Sequence, residues 1–77
     1  PPLVSVSNTS GLAGIAHWIN SYYHLPKENW VDKNSELVQM VKVWVDKQYE
    51  EGRVTVLTDS ELVEEIQKCC KKLDITL

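Results

Sequence analysis

Apolar side chains recur every three or four residues in the first third of the chain. They stand at Leu12, Ile15, Ala16, Ile19, Tyr22 and Tyr23, the spacing of one buried helical face, and Trp18 falls off that face. We therefore predict a helix over residues 10–23, with Thr9 or Ser10 as its N-cap. This helix should stop before Pro26, because the residue before a proline avoids helical backbone angles.

A second helix is predicted over residues 35–51. Its buried face comprises Leu37, Val38, Val41, Trp44, Val45 and Tyr49, again at helical spacing. Asn34 is placed to cap the first turn of this helix, and Gly52 is placed to end it. Charged side chains fill the opposite face, so the helix should expose one side to water.

A third helix is predicted over residues 59–73. Thr58 precedes it and Glu61 follows three residues later, which is the pattern of a capping box, and Leu57 and Leu62 are spaced as a hydrophobic staple. The predicted buried face consists of Leu62, Ile66, Cys69, Cys70 and Leu73. Acidic residues in the first turns and lysines in the last turn match the helix dipole.

The segments outside these helices have few helix signals. Residues 1–9 alternate apolar and small polar side chains, which suits a short strand or an extended linker, and we expect an extended, loosely held linker. Trp30 and Val31 should fold back on the core over the first helix junction, and residues 53–57 should cross the bundle in an extended form. The predicted fold is all-α, a small three-helix bundle with an extended N-terminal segment, in a single helical subdomain.

Charge is distributed unevenly along the sequence. All eight Lys and Arg residues and all eleven Asp and Glu residues of the 77-residue chain lie after Pro26. A helix that faces water normally carries charge on that side, so the first helix should be covered by material outside this chain. We expect its interface residues to be Leu12, Ile15, Trp18, Ile19 and Tyr22.

Composition argues against two classes of partner. The net charge is −3, which leaves no basic face to neutralise phosphates, so we expect no nucleic-acid partner. No apolar run approaches the length of a membrane span, so we expect no membrane partner. Because the chain does not begin with Met, we interpret it as a fragment of a longer protein.

The two cysteines, Cys69 and Cys70, are neighbours within the third predicted helix. Adjacent residues rarely form a disulfide because the bond strains the peptide between them. No further Cys or His lies nearby at the spacing of metal ligands, so we expect no metal here. We interpret both as buried thiols in a reducing, cytoplasmic environment.

Candidate chemistry is limited to two histidines. His17 and His24 lie two helical turns apart, about 10 Å along the axis, which is too far to share a metal without other ligands. His17 is most simply an amphipathic filler beside Trp18, and His24 can oppose the negative end of the helix dipole. The carboxylates are dispersed and no glycine-rich phosphate loop is present. This chain is therefore not a complete enzyme by its composition and spacing.

The run Ser10-Gly11-Leu12-Ala13-Gly14-Ile15-Ala16-His17-Trp18-Ile19 resembles a Ser-Gly-x-x-Gly-Val/Ile-Ala-Tyr/His segment of 2-isopropylmalate synthases and their homocitrate and citramalate synthase relatives. Asp32-Lys33-Asn34 and a helix ending near Asp46-Lys47-x-Tyr49-x-x-Gly52-Arg53 are similar to the continuation in some members. The resemblance covers about residues 5–66. It implies the small helical subdomain that follows the catalytic (β/α)8 barrel.

The resemblance also implies an activity for the parent enzyme. In this family of transferases the barrel holds a divalent metal, binds a 2-oxo acid and condenses acetyl-CoA onto it, a step of leucine biosynthesis in the 2-isopropylmalate synthases. The barrel's His-x-His metal pattern is absent from this chain. The resemblance therefore implies that the fragment alone is inactive and carries no cofactor of its own.

Three further expectations concern the first helix. In the family the subdomain crosses to the partner subunit of a homodimer and reaches over its active site, so its partners would be its own barrel and the second subunit. A helix lodged between them would need apolar or neutral faces on several sides, and Gly11 and Gly14 would allow close backbone approach. The position of His17 carries a tyrosine thought to help in catalysis, and an imidazole there could transfer a proton or donate a hydrogen bond to substrate. The alternative function is a free-standing three-helix interaction module with no enzymatic parent.

Overall fold

A computed structural model of the protein describes residues 5–77, and it contains three α-helices. They are α1 (Leu12–Tyr22), α2 (Glu36–Glu50) and α3 (Asp59–Leu73), with a short 3-10 helix at Lys27–Asn29. Helix α2 packs against both α1 and α3, and no strand occurs in residues 5–77. The predicted small all-α bundle is therefore confirmed. The first four residues of the predicted linker lie outside the described part of the chain.

The core is formed mainly by the predicted apolar stripes. Its buried members are Val6, Ile15, Ala16, Trp18, Ile19, Leu37, Val38, Val41, Val45, Leu57, Leu62, Ile66, Cys69 and Cys70. Burying a side chain of valine or leucine size contributes about 1.5–3 kcal/mol. Trp44, Tyr49 and Leu73, which were also predicted to face inward, are only partly buried and pack on the edge of this core.

Trp18 was predicted to lie off the buried face of the first helix, but its side chain is only 2% exposed. It follows Ile15 by three residues and precedes Tyr22 by four, so it lies on a helical row with both. Its ring stacks on the ring of Tyr22, with centroids 4.6 Å apart and planes 10° from parallel. The buried arc of α1 is therefore wider than the periodicity of the aliphatic residues indicated.

The N-caps of α1 and α2 also differ from the prediction. The N-cap of α1 is Gly11, which has no side chain and therefore makes no side-chain cap, and the hydroxyl of Ser10 accepts a hydrogen bond from the amide of Ser7. Ser35 caps α2, and its hydroxyl accepts from the amide of Val38 at 3.3 Å. The expectation for Thr9, Ser10 and Asn34 as caps was therefore wrong.

Each of the three helices is followed by a residue with a left-handed backbone, which after α3 is Asp74 at φ +56°. After α2, Gly52 has φ +105°, and the amide of Arg53 donates to the carbonyl of Gln48 at 3.2 Å, as in a Schellman motif. After α1 the same position is held by His24, with φ +52°. Glycine adopts this backbone without cost, whereas histidine adopts it less readily.

The segment before α1 is held on the bundle. Val6 is only 2% exposed, and its carbonyl accepts a hydrogen bond from the amide of Leu57 at 3.0 Å. The expectation that this segment is loosely held was therefore wrong at Val6. The alternation of apolar and polar residues does not show whether such a segment is held on the fold. Here the Val6 side chain reaches the core and anchors the segment.

The connection between α1 and α2 follows the prediction only in part. Val31 packs against the core, as expected. Trp30 is 53% exposed, and its indole Nε1 donates to the carbonyl of Leu25 at 2.9 Å. Because this hydrogen bond is satisfied at the surface, the ring does not cover the helix junction as we had expected.

None of the helices in the described residues combines the length and the apolar character needed to cross a membrane.

Candidate functional site

Helix α1 turns a narrow, charge-free face outward, which we call the neutral face. It is formed by the exposed residues Ala13, Gly14 and His17 and by the half-buried Ser21, and the half-buried Ser10 lies just before the helix. Residues in a helix are about 100° apart around the axis, so the four helical positions fall within an arc of about 100°. The remaining circumference of α1 belongs largely to the core.

The neutral face is backed by a rigid inner side. Ile15 and Ile19 are 1% and 0% exposed, and Trp18 closes the core at the flank of the helix. Asn20, at 7% exposure, holds the other flank through hydrogen bonds to the backbone of Val31. Any group carried by the neutral face is therefore presented from a well-packed support.

Gly14 leaves open space at the centre of this face. A Cβ atom built there would meet only the Cβ of Ser10, at 4.0 Å, and the backbone of Gly14 is ordinary helix. Glycine inside a helix costs about 0.5–1 kcal/mol relative to alanine. Nothing within residues 5–77 requires a glycine at this position, so the absent side chain leaves room for a group outside the chain.

His17 lies one turn after Gly14, and its side chain is exposed. Its imidazole forms no hydrogen bond or ion pair with any residue from 5 to 77. A neutral imidazole carries one donor and one acceptor nitrogen, so His17 can both donate and accept a hydrogen bond. His24 is also exposed, but it belongs to the turn after α1.

The structure places the five predicted interface residues mostly inside the chain. Ile15, Trp18 and Ile19 lie in the core, and Leu12 is half-buried against it. Tyr22 is 37% exposed. The interface role of these five residues stays a prediction, but the surface that α1 actually offers is the neutral face.

Ala13 and Gly14 were not among the five interface residues predicted from the sequence. The family resemblance did lead us to expect a close backbone approach at Gly11 and Gly14, and of these two Gly14 lies on the neutral face. The signal in the sequence is a glycine in the middle of a helix of eleven residues. Glycine is unfavourable inside a helix, so its presence there indicates a requirement from outside the helix.

The cysteines are buried and unbonded to one another, which confirms the absence of a disulfide. Burial raises the pKa of the Cys69 thiol to about 11, with a further contribution from the negative charge of Glu65. Burial also raises the pKa of Cys70. Both residues are therefore neutral thiols at physiological pH and poor nucleophiles.

The strongest ion pair lies at the start of α3, away from the neutral face. The guanidinium of Arg53 donates to both carboxylate oxygens of Glu61 at 2.6 Å, while Glu61 and Thr58 form the predicted capping box. The hydrogen bonds from Arg53, followed by the one from the Thr58 amide, lower the pKa of Glu61 to about 2. This pair fixes the entry of α3 and was not foreseen from the sequence.

Residues 5–77 bring no three His, Cys, Asp or Glu side chains close enough together to hold a metal ion. The divalent metal implied by the family resemblance therefore does not fit the residues described here, and we assign no metal ligand to them.

Two curated proteins are similar to this chain, and both are citrate (Re)-synthases. The enzyme of Clostridium kluyveri is 48% identical over 62 residues, which cover 80% of this chain and 14% of that enzyme. The enzyme of Syntrophus aciditrophicus is 36% identical over 73 residues, or 95% of this chain and 12% of that enzyme. No family model matches the chain, and no solved structure matches it.

This chain therefore spans between 12 and 14% of the length of the citrate (Re)-synthases that it matches. Citrate (Re)-synthase belongs to the same acyl-CoA-dependent condensing family as 2-isopropylmalate and homocitrate synthases. The resemblance is thus supported at the level of that family, but the leucine pathway is not. The chain is thus similar to a short segment of two synthases.

Proposed function

We propose that this chain is a helical subdomain of a citrate (Re)-synthase-type enzyme, and that its neutral face packs over the active site. The identity of 48% to one citrate (Re)-synthase supports this choice over a leucine-pathway enzyme. The subdomain would lie against its own catalytic barrel and the second subunit of a homodimer. The divalent metal would be held by the barrel, outside this chain.

The name of the relatives gives citrate as their product, and the proposed substrates can be inferred from citrate. Removing one acetyl unit from citrate leaves oxaloacetate, which is a 2-oxo acid. The proposed reaction forms a bond between the methyl carbon of acetyl-CoA, after it loses a proton, and the ketone carbon of oxaloacetate. The ketone oxygen takes up a proton to become the hydroxyl of citrate, and water hydrolyses the thioester to release CoA.

His17 is the residue of this chain that we assign to the reaction. The ketone oxygen gains negative charge as the carbon–carbon bond forms, and a positioned hydrogen-bond donor stabilises that charge. An imidazole can donate this hydrogen bond or transfer the proton. The side chain of His17 is exposed and forms no hydrogen bond or ion pair within residues 5–77, so it is available for that role.

The proposal that α1 packs over the active site rests on one observation, the open space at Gly14. Its missing side chain has no use inside the described chain, although glycine costs helix stability. Backbone from the barrel or the second subunit could approach α1 closely at this point. Such an approach would bring the next turn, and with it His17, towards the bound substrates.

The experiment is a steady-state assay of the complete polypeptide that contains this chain, with acetyl-CoA and oxaloacetate as substrates and citrate as the measured product. We expect His17→Ala to lower kcat by about tenfold to a hundredfold, the range for losing one proton-transfer or hydrogen-bonding group. His24→Ala is the matched control, because this histidine is exposed but lies outside the neutral face. It should leave kcat unchanged.

Three results would contradict the proposal. Production of 2-isopropylmalate instead of citrate, with 2-oxoisovalerate as substrate, would exclude the citrate assignment. An unchanged kcat in His17→Ala would return His17 to a structural role. A polypeptide with neither activity and no catalytic barrel would favour the alternative, an interaction module without an enzymatic parent.

A further inference from the structure

An open groove runs between α2 and α3, with a volume of about 410 Å³. Helix α2 lines it with Met40, Val43 and Trp44, and α3 lines it with Glu65 and Cys69. Met40 and Trp44 are partly buried, Cys69 is buried, and Val43 is 68% exposed. The groove therefore has a buried floor and an apolar rim, and it lies outside the neutral face of α1.

The spacing of the lining residues matches the way helices pack. On α2 they fall at positions 40, 43, 44 and 47, and on α3 at positions 65, 69 and 72. These are the i, i+3, i+4, i+7 and i, i+4, i+7 positions, which form continuous ridges along each helix. These two ridges form the sides of the groove, and a groove of this kind accepts the apolar face of a further helix.

The charged side chains of the groove indicate which kind of helix binds there. Lys47 and Lys72 line it, both are exposed, and neither forms an ion pair with any residue from 5 to 77. The one acidic lining residue, Glu65, accepts a hydrogen bond from the thiol of Cys69 at 3.5 Å. The groove is thus locally basic on a chain whose net charge is −3.

We propose that the α2–α3 groove binds an amphipathic helix of a partner, with an apolar stripe flanked by carboxylates. The apolar stripe would cover Val43 and the floor formed by Met40 and Trp44. The carboxylates would pair with Lys47 and Lys72. This inference is independent of the proposed synthase function, because it uses a different surface and a different chemistry.

The test uses the full chain and two fluorescent helical peptides of about 18 residues, long enough to form a helix on binding. One peptide carries leucines at helical spacing flanked by glutamates, and the other has lysines in place of the glutamates. In fluorescence anisotropy we expect the acidic peptide to bind at least about tenfold more tightly, a difference of about 1.4 kcal/mol.

Two variants locate the binding site. Val43→Glu should weaken binding of the acidic peptide at least about tenfold, because it removes an apolar contact and repels the carboxylates of the peptide. The matched control is Val54→Glu, because Val54 is 92% exposed and lies outside the groove; it should leave the affinity unchanged. The double variant Lys47→Glu, Lys72→Glu should reverse the preference and favour the basic peptide, and circular dichroism reports whether each variant is folded.

Several outcomes would overturn the inference. These are the absence of binding by the acidic peptide, equal binding of both peptides, and equal losses in Val43→Glu and Val54→Glu. Sedimentation of the chain alone supplies a fourth outcome. A dimer that Val43→Glu dissociates and Val54→Glu retains would assign the groove to a second copy of this chain.

Discussion

The side-chain amide of Asn20 makes two hydrogen bonds to the backbone of Val31, eleven residues further along the chain. Its Nδ2 donates to the Val31 carbonyl at 3.1 Å, and its Oδ1 accepts from the Val31 amide at 2.8 Å. Asn20 is 7% exposed, so water cannot readily replace these hydrogen bonds. These two hydrogen bonds, which we call the clasp, hold the connection between α1 and α2 on the helix that carries the neutral face.

Removing this clasp should destabilise the chain. Asn20→Ala leaves the amide and the carbonyl of Val31 without partners, and each unsatisfied buried group costs about 1–3 kcal/mol. We expect a loss of about 2–4 kcal/mol in the free energy of unfolding, measured by urea denaturation. Asn29→Ala, at an exposed position, serves as the control. A loss below about 0.5 kcal/mol would show that the clasp contributes little to stability.

Trp18 should behave as a core residue of this chain. Its side chain is 2% exposed and stacked on Tyr22, so Trp18→Ala should cost about 3–5 kcal/mol, as large-to-small changes in cores do. Urea denaturation of the 77-residue chain measures this cost. Trp18→Phe should cost less because it keeps an aromatic ring. If Trp18→Ala left the stability of the chain unchanged, the residue would act at an interface with another part of the protein.

His24 should be replaceable by glycine with a gain in stability. Its φ of +52° is unfavourable for a residue with a Cβ and neutral for glycine. We expect His24→Gly to raise the free energy of unfolding by about 0.5–1 kcal/mol, after allowing for the greater freedom of glycine in the unfolded chain. His24→Ala keeps the Cβ and should give no gain. Equal effects of the two substitutions would contradict this explanation.

The pairing of Arg53 with Glu61 should make stability depend on pH in the acid range. The folded pKa of Glu61 is about 2, against an ordinary value of 4.5, so the unfolded chain binds its proton first as the pH falls. The stabilisation is therefore fully present above about pH 4.5 and is lost as the pH falls towards 2. Thermal unfolding of Glu61→Gln should show a smaller decrease across this range than the wild type.

The control for that experiment is Glu64→Gln. The carboxylate of Glu64 lies 3.5 Å from Lys68 and both side chains are more than half exposed, so this pair should contribute little. Its removal should leave the acid dependence of the melting temperature unchanged. Parallel curves for the wild type and Glu61→Gln would show that another carboxylate dominates the acid response.

Local signals predicted most of the bundle. The stripes of Leu37, Val41 and Val45 on α2 and of Leu62 and Ile66 on α3 are buried as expected, because periodic burial and capping depend on residues close in sequence. The predicted capping box at the start of α3 is also present in the structure. These features need no knowledge of tertiary contacts.

The failures share a different cause. The anchoring of Val6 beside Leu57, the clasp between Asn20 and Val31 and the pairing of Arg53 with Glu61 join residues from different segments. None of these pairings follows from the local sequence, because each depends on where the folded chain brings the two partners. Such contacts decide which polar side chains are satisfied within the fold.

The candidate site was predicted only in outline. The lack of charge in the first helix indicated a covered surface, and His17 is exposed on that helix. The residues expected to form the interface are mostly core residues, since Ile15 and Ile19 fill the space beneath the neutral face. Single-sequence periodicity identifies an apolar stripe but does not distinguish an internal core from an external interface.

Gly14 provides the most direct test of the claim that the neutral face packs against another part of a synthase. Gly14→Ala should stabilise the 77-residue chain by about 0.5–1 kcal/mol, because alanine favours the helix and the new Cβ meets only the Cβ of Ser10, at 4.0 Å. In the complete polypeptide, Gly14→Leu should obstruct the close approach and reduce citrate formation by about tenfold or more, the cost of misplacing a reacting group.

The matched control is Lys71→Leu, which adds a leucine at an exposed position of α3, remote in sequence from the neutral face. The decisive measurement is the rate of citrate formation by the complete polypeptide carrying Gly14→Leu, compared with the rate for Lys71→Leu. We predict a rate that falls with Gly14→Leu and is retained with Lys71→Leu. Equal, undiminished rates for the two variants would contradict the proposed packing of α1 over the active site.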